Sequence, residues 1–376
     1  MKMFLLLSGL IVQGALHKQG KMLRPHPAPV STTVYTDDSL DLKIGQMIIF
    51  GFYGTRPNKN EPVYKAVKEG KVGSILLYGR NIPLHNTGAG LRSLIRFYQQ
   101  AAPIPLFVSI DQEGGFVNRL PDSLGFPRMP SAYTIGRLNN LEKSKYYNDK
   151  IAGTLSELHI NLNYAPVLDL HNPNCPVLGA RQRCYSSSPE LVAAQAAVAV
   201  RSHDAVKVHT VLKHFPGHGN SAADSHFGVA DVTKTWKQEE LLPYKMMIDS
   251  GMAGAIMTAH IVNGKLDPSL LPATLSYPII TGLLRDSLDF SGVVFSDDML
   301  MQAISSKFGL KESILKAINA GVDVLMFSNN IKGVKDYTPD NIHRIIKELV
   351  ISGKISPERI DASYRRIMAM KGRWPG

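Results

Sequence analysis

Cysteine is nearly absent from this chain: two occur among 376 residues. That count excludes a disulfide-stapled scaffold and a four-cysteine zinc site. Charge is sparse as well, at 19% of residues against 44% apolar. Disordered chains show the opposite balance, so this is a globular composition, long enough to bury a full core. Beyond the first residues no apolar segment reaches the roughly 18 residues of a membrane-crossing helix. Short internal repeats and low-complexity tracts are lacking too. Lys and Arg outnumber Asp and Glu by 42 to 31, a net charge of +11. The basic residues form no block with interleaved aromatics, so nucleic acid is not an expected partner. The excess positive charge hints at anionic partners of another kind.

The chain opens with Lys2 and an apolar run from Phe4 to Leu16, followed by Lys18, Lys21 and Arg24. Such a run is too short to span a bilayer and fits the core of a signal peptide. We therefore expect a leader over residues 1–20, directing export to the periplasm or the outside. The alternative is an uncleaved first element of a cytoplasmic protein. No cysteine follows the run, so a lipoprotein is excluded. Residues 21–37 contain Pro25, Pro27, Pro29 and a Ser-Thr-Thr run and read as a tether. The remainder, residues 38–376, reads as one domain. At its far end Ser356-Pro357-Glu358 has the order of N-cap, first helical position and first turn. Ile360, Tyr364 and Ile367 then recur at helical spacing.

Between these ends a short apolar, β-branched run recurs eight times: Gln46–Phe52, Val72–Tyr78, Pro105–Asp111, Leu162–Asp169, Val208–His214, Ala253–His260, Val293–Asp297 and Val322–Phe327. Most show no alternation, the mark of strands covered on both faces, as in parallel sheets. The intervals leave room for a helix each time; Glu190–Ala205 and Leu310–Ala320 are amphipathic. Eight such units predict an α/β fold of the (β/α)₈ TIM-barrel type. A doubly wound open sheet is the runner-up, but Phe50-Gly51-Phe52-Tyr53-Gly54 supplies no G-x-G-x-x-G turn. Where the runs stop, polar residues stand: Asp111, Asp169, Lys213-His214, His260 and Asp297. A barrel would gather them on its C-terminal rim.

Three segments carry chemistry. The first is Lys213-His214-Phe215-Pro216-Gly217-His218-Gly219-Asn220, with Asp224-Ser225-His226 beyond it. His214, His218, Asp224 and His226 could form a metal-dependent hydrolase site. However, Pro216-Gly217 breaks the helix that would pair two histidines four apart. In an extended loop Asp224 and His226 point the same way, so the carboxylate can polarise an imidazole that titrates near ~6.5. The second segment, Val293-Val294-Phe295-Ser296-Asp297-Asp298, ends an apolar strand on two acids that must face opposite ways. Asp298 suits the cap of a helix over Met299-Leu300-Met301-Gln302, which leaves Asp297 as a candidate nucleophile towards an anomeric carbon. In the third, Asp111-Gln112-Glu113-Gly114-Gly115-Phe116-Val117-Asn118-Arg119, Asp111 can accept hydrogen bonds from substrate hydroxyls.

The segments DQEGGFVNRL, NLNYAPVLDL, KHFPGHGNSAADSH, MTAHI and GVVFSDDM, in that order, resemble glycoside hydrolase family 3, and within it the bacterial β-N-acetylhexosaminidases that remove N-acetylglucosamine from cell-wall fragments. The resemblance spans roughly residues 40–370 and also implies a (β/α)₈ barrel. It implies a retaining mechanism with Asp297 as nucleophile and Asp224–His226 as the acid–base dyad. Asp111, Arg119, Lys213 and His214 would bind the terminal sugar, with Arg181 from Gly179-Ala180-Arg181 in place of the family's G-D-R arginine. It implies no metal and no cofactor, an N-acetylglucosamine-bearing oligosaccharide as substrate, and a monomer. Three residues depart from the pattern: Ala180 stands where aspartate is usual, Phe116 where arginine is common, and Asn220 where aspartate is frequent. The alternative to an enzyme is a non-catalytic sugar-binding barrel. Cys175 and Cys184 bracket Arg181, and in an exported protein they would be free to pair and pin that loop.

Overall fold

The computed structural model describes residues 39–223, 228, 230–305, 308–330 and 337–372. The expected leader and tether, and both members of the Asp224–His226 pair, lie outside the described residues. All eight apolar runs contribute strands to one parallel sheet. The strands are β1 (Ile48–Gly51), β2 (Ser74–Leu77), β3 (Phe107–Ile110), β4 (Leu162–Asn163), β5 (His209–Thr210), β6 (Leu212–Phe215), β7 (Ala255–Thr258), β8 (Val293–Asp298) and β9 (Val324–Phe327). Their order is β5-β4-β3-β2-β1-β9-β8-β7-β6. The two outer strands, β5 and β6, are successive pieces of one run separated by Val211. One piece pairs with β4 and the other with β7, so the sheet closes into the barrel.

The fourth run is shorter as a strand than its composition predicts. Only Leu162 and Asn163 join the ladder, because Pro166 has no N–H to give. Further on, Val167 bridges Lys213, and Lys213 donates its backbone N–H to Pro166 O at 3.3 Å. The barrel edge is thus completed by irregular chain at the point where the Lys213-His214 segment sits.

Helices cover the outside: α1 (Leu40–Gln46), α2 (Thr87–Ala101), α3 (Leu141–Glu157), α4 (Pro189–Asp204), α5 (Leu310–Ala320), α6 (Pro339–Ile351) and α7 (Pro357–Gly372). The two amphipathic stretches correspond to α4 and α5. Ser356 accepts the Arg359 backbone N–H at 3.2 Å, which caps α7 as its sequence requires. Inside the barrel, Phe50, Phe295 and Phe327 are fully buried with the aliphatic side chains of the strands.

One buried carboxylate fastens the outer layer to the barrel. Asp323, just before β9, receives Arg285 at 2.6 Å, Arg366 at 3.2 Å, Arg359 at 3.3 Å, the Ser363 hydroxyl at 2.8 Å and the Val294 backbone N–H at 3.0 Å. Removing a buried charge that neutralises several cations leaves them uncompensated, at about 3–5 kcal/mol. Asp323→Ala is therefore expected to lower unfolding stability by that order, read from urea midpoints; a loss below about 1 kcal/mol would show that solvent replaces the carboxylate.

Candidate active site

The rim beyond the C-terminal ends of the strands holds a buried ion network. Lys213, on β6, donates to Asp111 Oδ1 at 2.8 Å and pairs with Glu113 Oε1 at 2.7 Å. Glu113 also takes the Arg183 guanidinium in two bonds, from Nε at 2.9 Å and Nη2 at 2.8 Å. Lys213 and Glu113 are both almost fully withdrawn from solvent. Burial alone would push the Glu113 carboxyl up, but Arg183 and Lys213 hold it far below the usual carboxylate range. Against the same burial, Asp111 and Glu113 raise Lys213, so all three groups stay charged.

Asp111 follows β3 directly. A small hairpin of Gln112–Gly114 and Val117–Asn118 then turns the chain, with Gln112 Oε1 accepting the Arg119 and Leu120 backbone N–H groups. That turn brings Arg119 back to 3.8 Å from Asp111 and across the face of Tyr78, 5.3 Å from the ring centre.

The histidine segment is held from beneath by Asp169. Its Oδ2 accepts His214 Nδ1 at 2.7 Å and the His214 backbone N–H at 3.1 Å, while Oδ1 accepts the His218 backbone N–H at 2.7 Å. Although burial opposes ionisation, the His214 ring and its companions hold Asp169 below its ordinary value. Both glycines of the segment are required. Gly217 has φ +112°, and a Cβ there would lie 2.5 Å from the Glu240 side chain; at Gly219 a Cβ would lie 2.2 Å from Leu170 O. Glu240 is buried below this turn and accepts Gly219 N–H at 3.0 Å and Asn220 Nδ2 at 2.9 Å. The rings of His214 and His218 lie 6.1 Å apart. Among the described residues no group of three potential ligands gathers for a metal ion.

At the end of β8 the two acids part. Asp298 is buried: Oδ1 accepts Leu300 N–H at 3.2 Å and Ser328 N–H at 3.1 Å, and the Ser328 hydroxyl bonds Oδ2. Burial pushes its carboxyl up to about 6. Asp297 is half-buried, and its Oδ1 accepts the Asp298 backbone N–H at 2.8 Å. Asp111 follows β3 and Asp297 ends β8, so both carboxylates stand at C-terminal strand ends of the same barrel. His260, another strand-end residue, bonds Thr274 at 2.7 Å and Asp298 O at 2.9 Å and belongs to the scaffold of this turn.

The structure brings Asp111, Arg119 and Lys213 into one network, sets His214 beside it on Asp169, and leaves Asp297 at the end of β8 on the same rim. Arg181 is exposed outside the network, its guanidinium 5.8 Å from the centre of the Phe116 ring; the arginine that enters the network is Arg183. Sequence reasoning singled out neither Glu113 nor Glu240, and Arg183 entered it only as a close neighbour of Arg181. A charged residue beside paired glycines and a second arginine two positions after Arg181 were the available signals for Glu113 and Arg183. Cys175 and Cys184 are free thiols in one small apolar cluster with Val167, Val177 and Leu178. The expected pairing is not formed. Instead Cys175 Sγ donates to His218 O at 3.6 Å, and burial pushes both thiols up.

The fold and the site define a parallel barrel whose strand-end carboxylates and cations gather where such barrels build active sites. The chain belongs to glycosyl hydrolase family 3: residues 39–370 match the Glycosyl hydrolase family 3 N terminal domain. It is 32% identical over 327 residues to Beta-hexosaminidase A of Pseudoalteromonas piscicida, across 81% of this chain and 54% of that protein. It is 34% identical over 267 residues to the Beta-hexosaminidase of Tolumonas auensis, across 70% of this chain and 77% of that protein. A glycoside hydrolase family 3 beta-N-acetylglucosaminidase from Paenibacillus sp. superimposes with a TM-score of 0.81 at 35% identity, over 89% of this chain and 62% of the other. The chain spans about half the length of the first of these relatives.

Burial raises Glu240 from its ordinary value of 4.5 to about 7. The folded chain then binds that proton more tightly than the unfolded one. Stability consequently falls as the pH rises through that window, by at most about 1.4 kcal/mol per pH unit. Asp298 acts in the same direction over the lower part, up to about 6. Glu240→Gln is expected to flatten the upper part of the slope in urea midpoints measured across the window; an unchanged slope would assign the proton elsewhere.

Proposed function

We propose that this protein is a retaining exo-β-N-acetylglucosaminidase that hydrolyses terminal, non-reducing β-N-acetylglucosamine from peptidoglycan fragments or related glycans. The observation that carries this reading is Asp297: a half-buried carboxylate at the C-terminal end of β8 in a family 3 barrel, on the rim that also holds Asp111. The relatives' names as hexosaminidases and a beta-N-acetylglucosaminidase support the choice of sugar.

In this reading Asp111, Lys213 and His214 hold the hydroxyls of the terminal sugar. Arg119 joins them through the partly exposed guanidinium that stands 3.8 Å from Asp111. Lys213 is spread between two carboxylates, so its ammonium is fixed in place before substrate arrives. Asp297 attacks the anomeric carbon and forms a glycosyl ester, while His226, polarised by Asp224, protonates the departing oxygen. His226 then takes a proton from water as that water cleaves the ester, so the anomeric configuration is retained. His226 donates as the imidazolium and is neutral once it has done so, so neither step sets a second carboxylate beside the nucleophile.

On the aglycone side, Phe116 and Arg181 offer an exposed aromatic face and a cation outside the buried network, a combination suited to a sugar with an acidic substituent. The Phe4–Leu16 run supports action outside the cytoplasm. Among the described residues no helix is long and apolar enough to cross a membrane.

Asp297→Asn is expected to abolish release of p-nitrophenol from its β-N-acetylglucosaminide; near-normal turnover would remove Asp297 from the nucleophile role. His226→Ala is expected to slow substrates with poor leaving groups by about 10²–10⁴-fold and activated ones far less. Equal losses on both would remove His226 from the acid role. Full activity after exhaustive chelation is expected, and its loss would favour the His214, His218, Asp224 and His226 metal reading instead.

A further inference from the structure

At the opposite end of the barrel, beneath the N-terminal ends of β3, β4 and β5, lies a cavity of about 560 Å³. That volume lies within the range of sites that enclose small molecules. Its walls come from the last turns of α2 and α3, the chain leading into β3 and β5, and α7. The charge around it is of one sign. Arg96, His159, Lys207, His209 and Lys371 line it, and none of the described residues lining it is acidic.

Lys371 is the built part of this arrangement. Its ammonium is buried and donates to Gln46 Oε1 at 2.6 Å, Pro105 O at 2.7 Å and Gly73 O at 2.9 Å, 4.8 Å from the centre of the Phe107 ring. Only the protonated amine can fill three acceptors, yet among the described residues no carboxylate pairs with it. Burial pulls it down to about 7. A buried cation without a counter-charge is expensive in a protein interior, and an anion alongside removes that expense. His209 stands edge-on to the same Phe107 ring, so the floor joins an aromatic surface to two basic groups. None of these residues takes part in the chemistry at the other end, and part of the +11 net charge is concentrated here.

We propose that this cavity is a second ligand site, separate from the catalytic rim, that takes a small organic anion carrying a carboxylate or phosphate group. Its apolar walls favour an organic body over a bare ion, and Arg96 and Lys207, exposed at the mouth, receive the anionic group.

Calorimetric titration of the full chain at low salt tests this with glucuronate and glycerol phosphate, each against its uncharged counterpart, glucose or glycerol. The expected result is saturable binding of at least one anion and none of the neutral compounds. The double variant R96E/K207E is expected to weaken that binding by at least about tenfold while keeping the unfolding midpoint and glycosidase activity. Saturation with N-acetylglucosamine is expected to leave the anion affinity unchanged. The proposal is overturned by any of three results: absence of anion binding up to millimolar concentration, binding that R96E/K207E retains, or competition by N-acetylglucosamine.

Discussion

The rim of this barrel is organised around a charge balance that water does not share. Glu113 is enclosed, and two cations, Lys213 and Arg183, are turned onto it at hydrogen-bonding distance. Each would be costly to bury alone; together they are held only if the β3 hairpin, the 177–183 loop and the β6 strand end keep their relative positions. The network therefore acts as a geometric constraint linking three loops with no sequence proximity. Asp111 inherits its position from it, because the same ammonium that neutralises Glu113 donates to Asp111. Asp169 does the equivalent work one layer away, reading two backbone N–H groups and one ring with its two oxygens.

Much of the architecture was legible because a strand covered on both faces leaves an uninterrupted apolar run, and all eight runs became strands. What escaped was where the hydrogen bonding stops. Leu162–Asp169 reads as one strand by composition, but Pro166 withholds the donor that the ladder needs. The split of Val208–His214 was equally invisible, since it arises from closing a ring of strands and not from any property of Val211.

At the site, legibility followed locality. Asp297 and Asp298 were distinguishable because strand neighbours face opposite ways, a rule that needs no tertiary knowledge. Glu113, and its pairing with Arg183, were not, because that contact joins positions 70 residues apart. Glu240 is harder still. It belongs to the turn before the helix that follows the site, and only the close approach of Gly217 and Gly219 reveals that it underpins the histidine segment. The substitution of Ala180 near Arg181 reads differently beside Arg183: the loop already carries an arginine fixed by a carboxylate, and Arg181 is released to the surface.

The bonds of Asp298 reach further than the turn they close. Through Ser328 its carboxylate is tied to the chain after β9, and through its backbone N–H it supports the Asp297 oxygen. The stance of the proposed nucleophile is in this way set partly from the neighbouring strand. Change at Ser328, or at Gly51 packed against the Ser328 carbonyl, would therefore reach the Asp297 carboxylate while Asp111, Glu113 and Lys213 kept their own bonds.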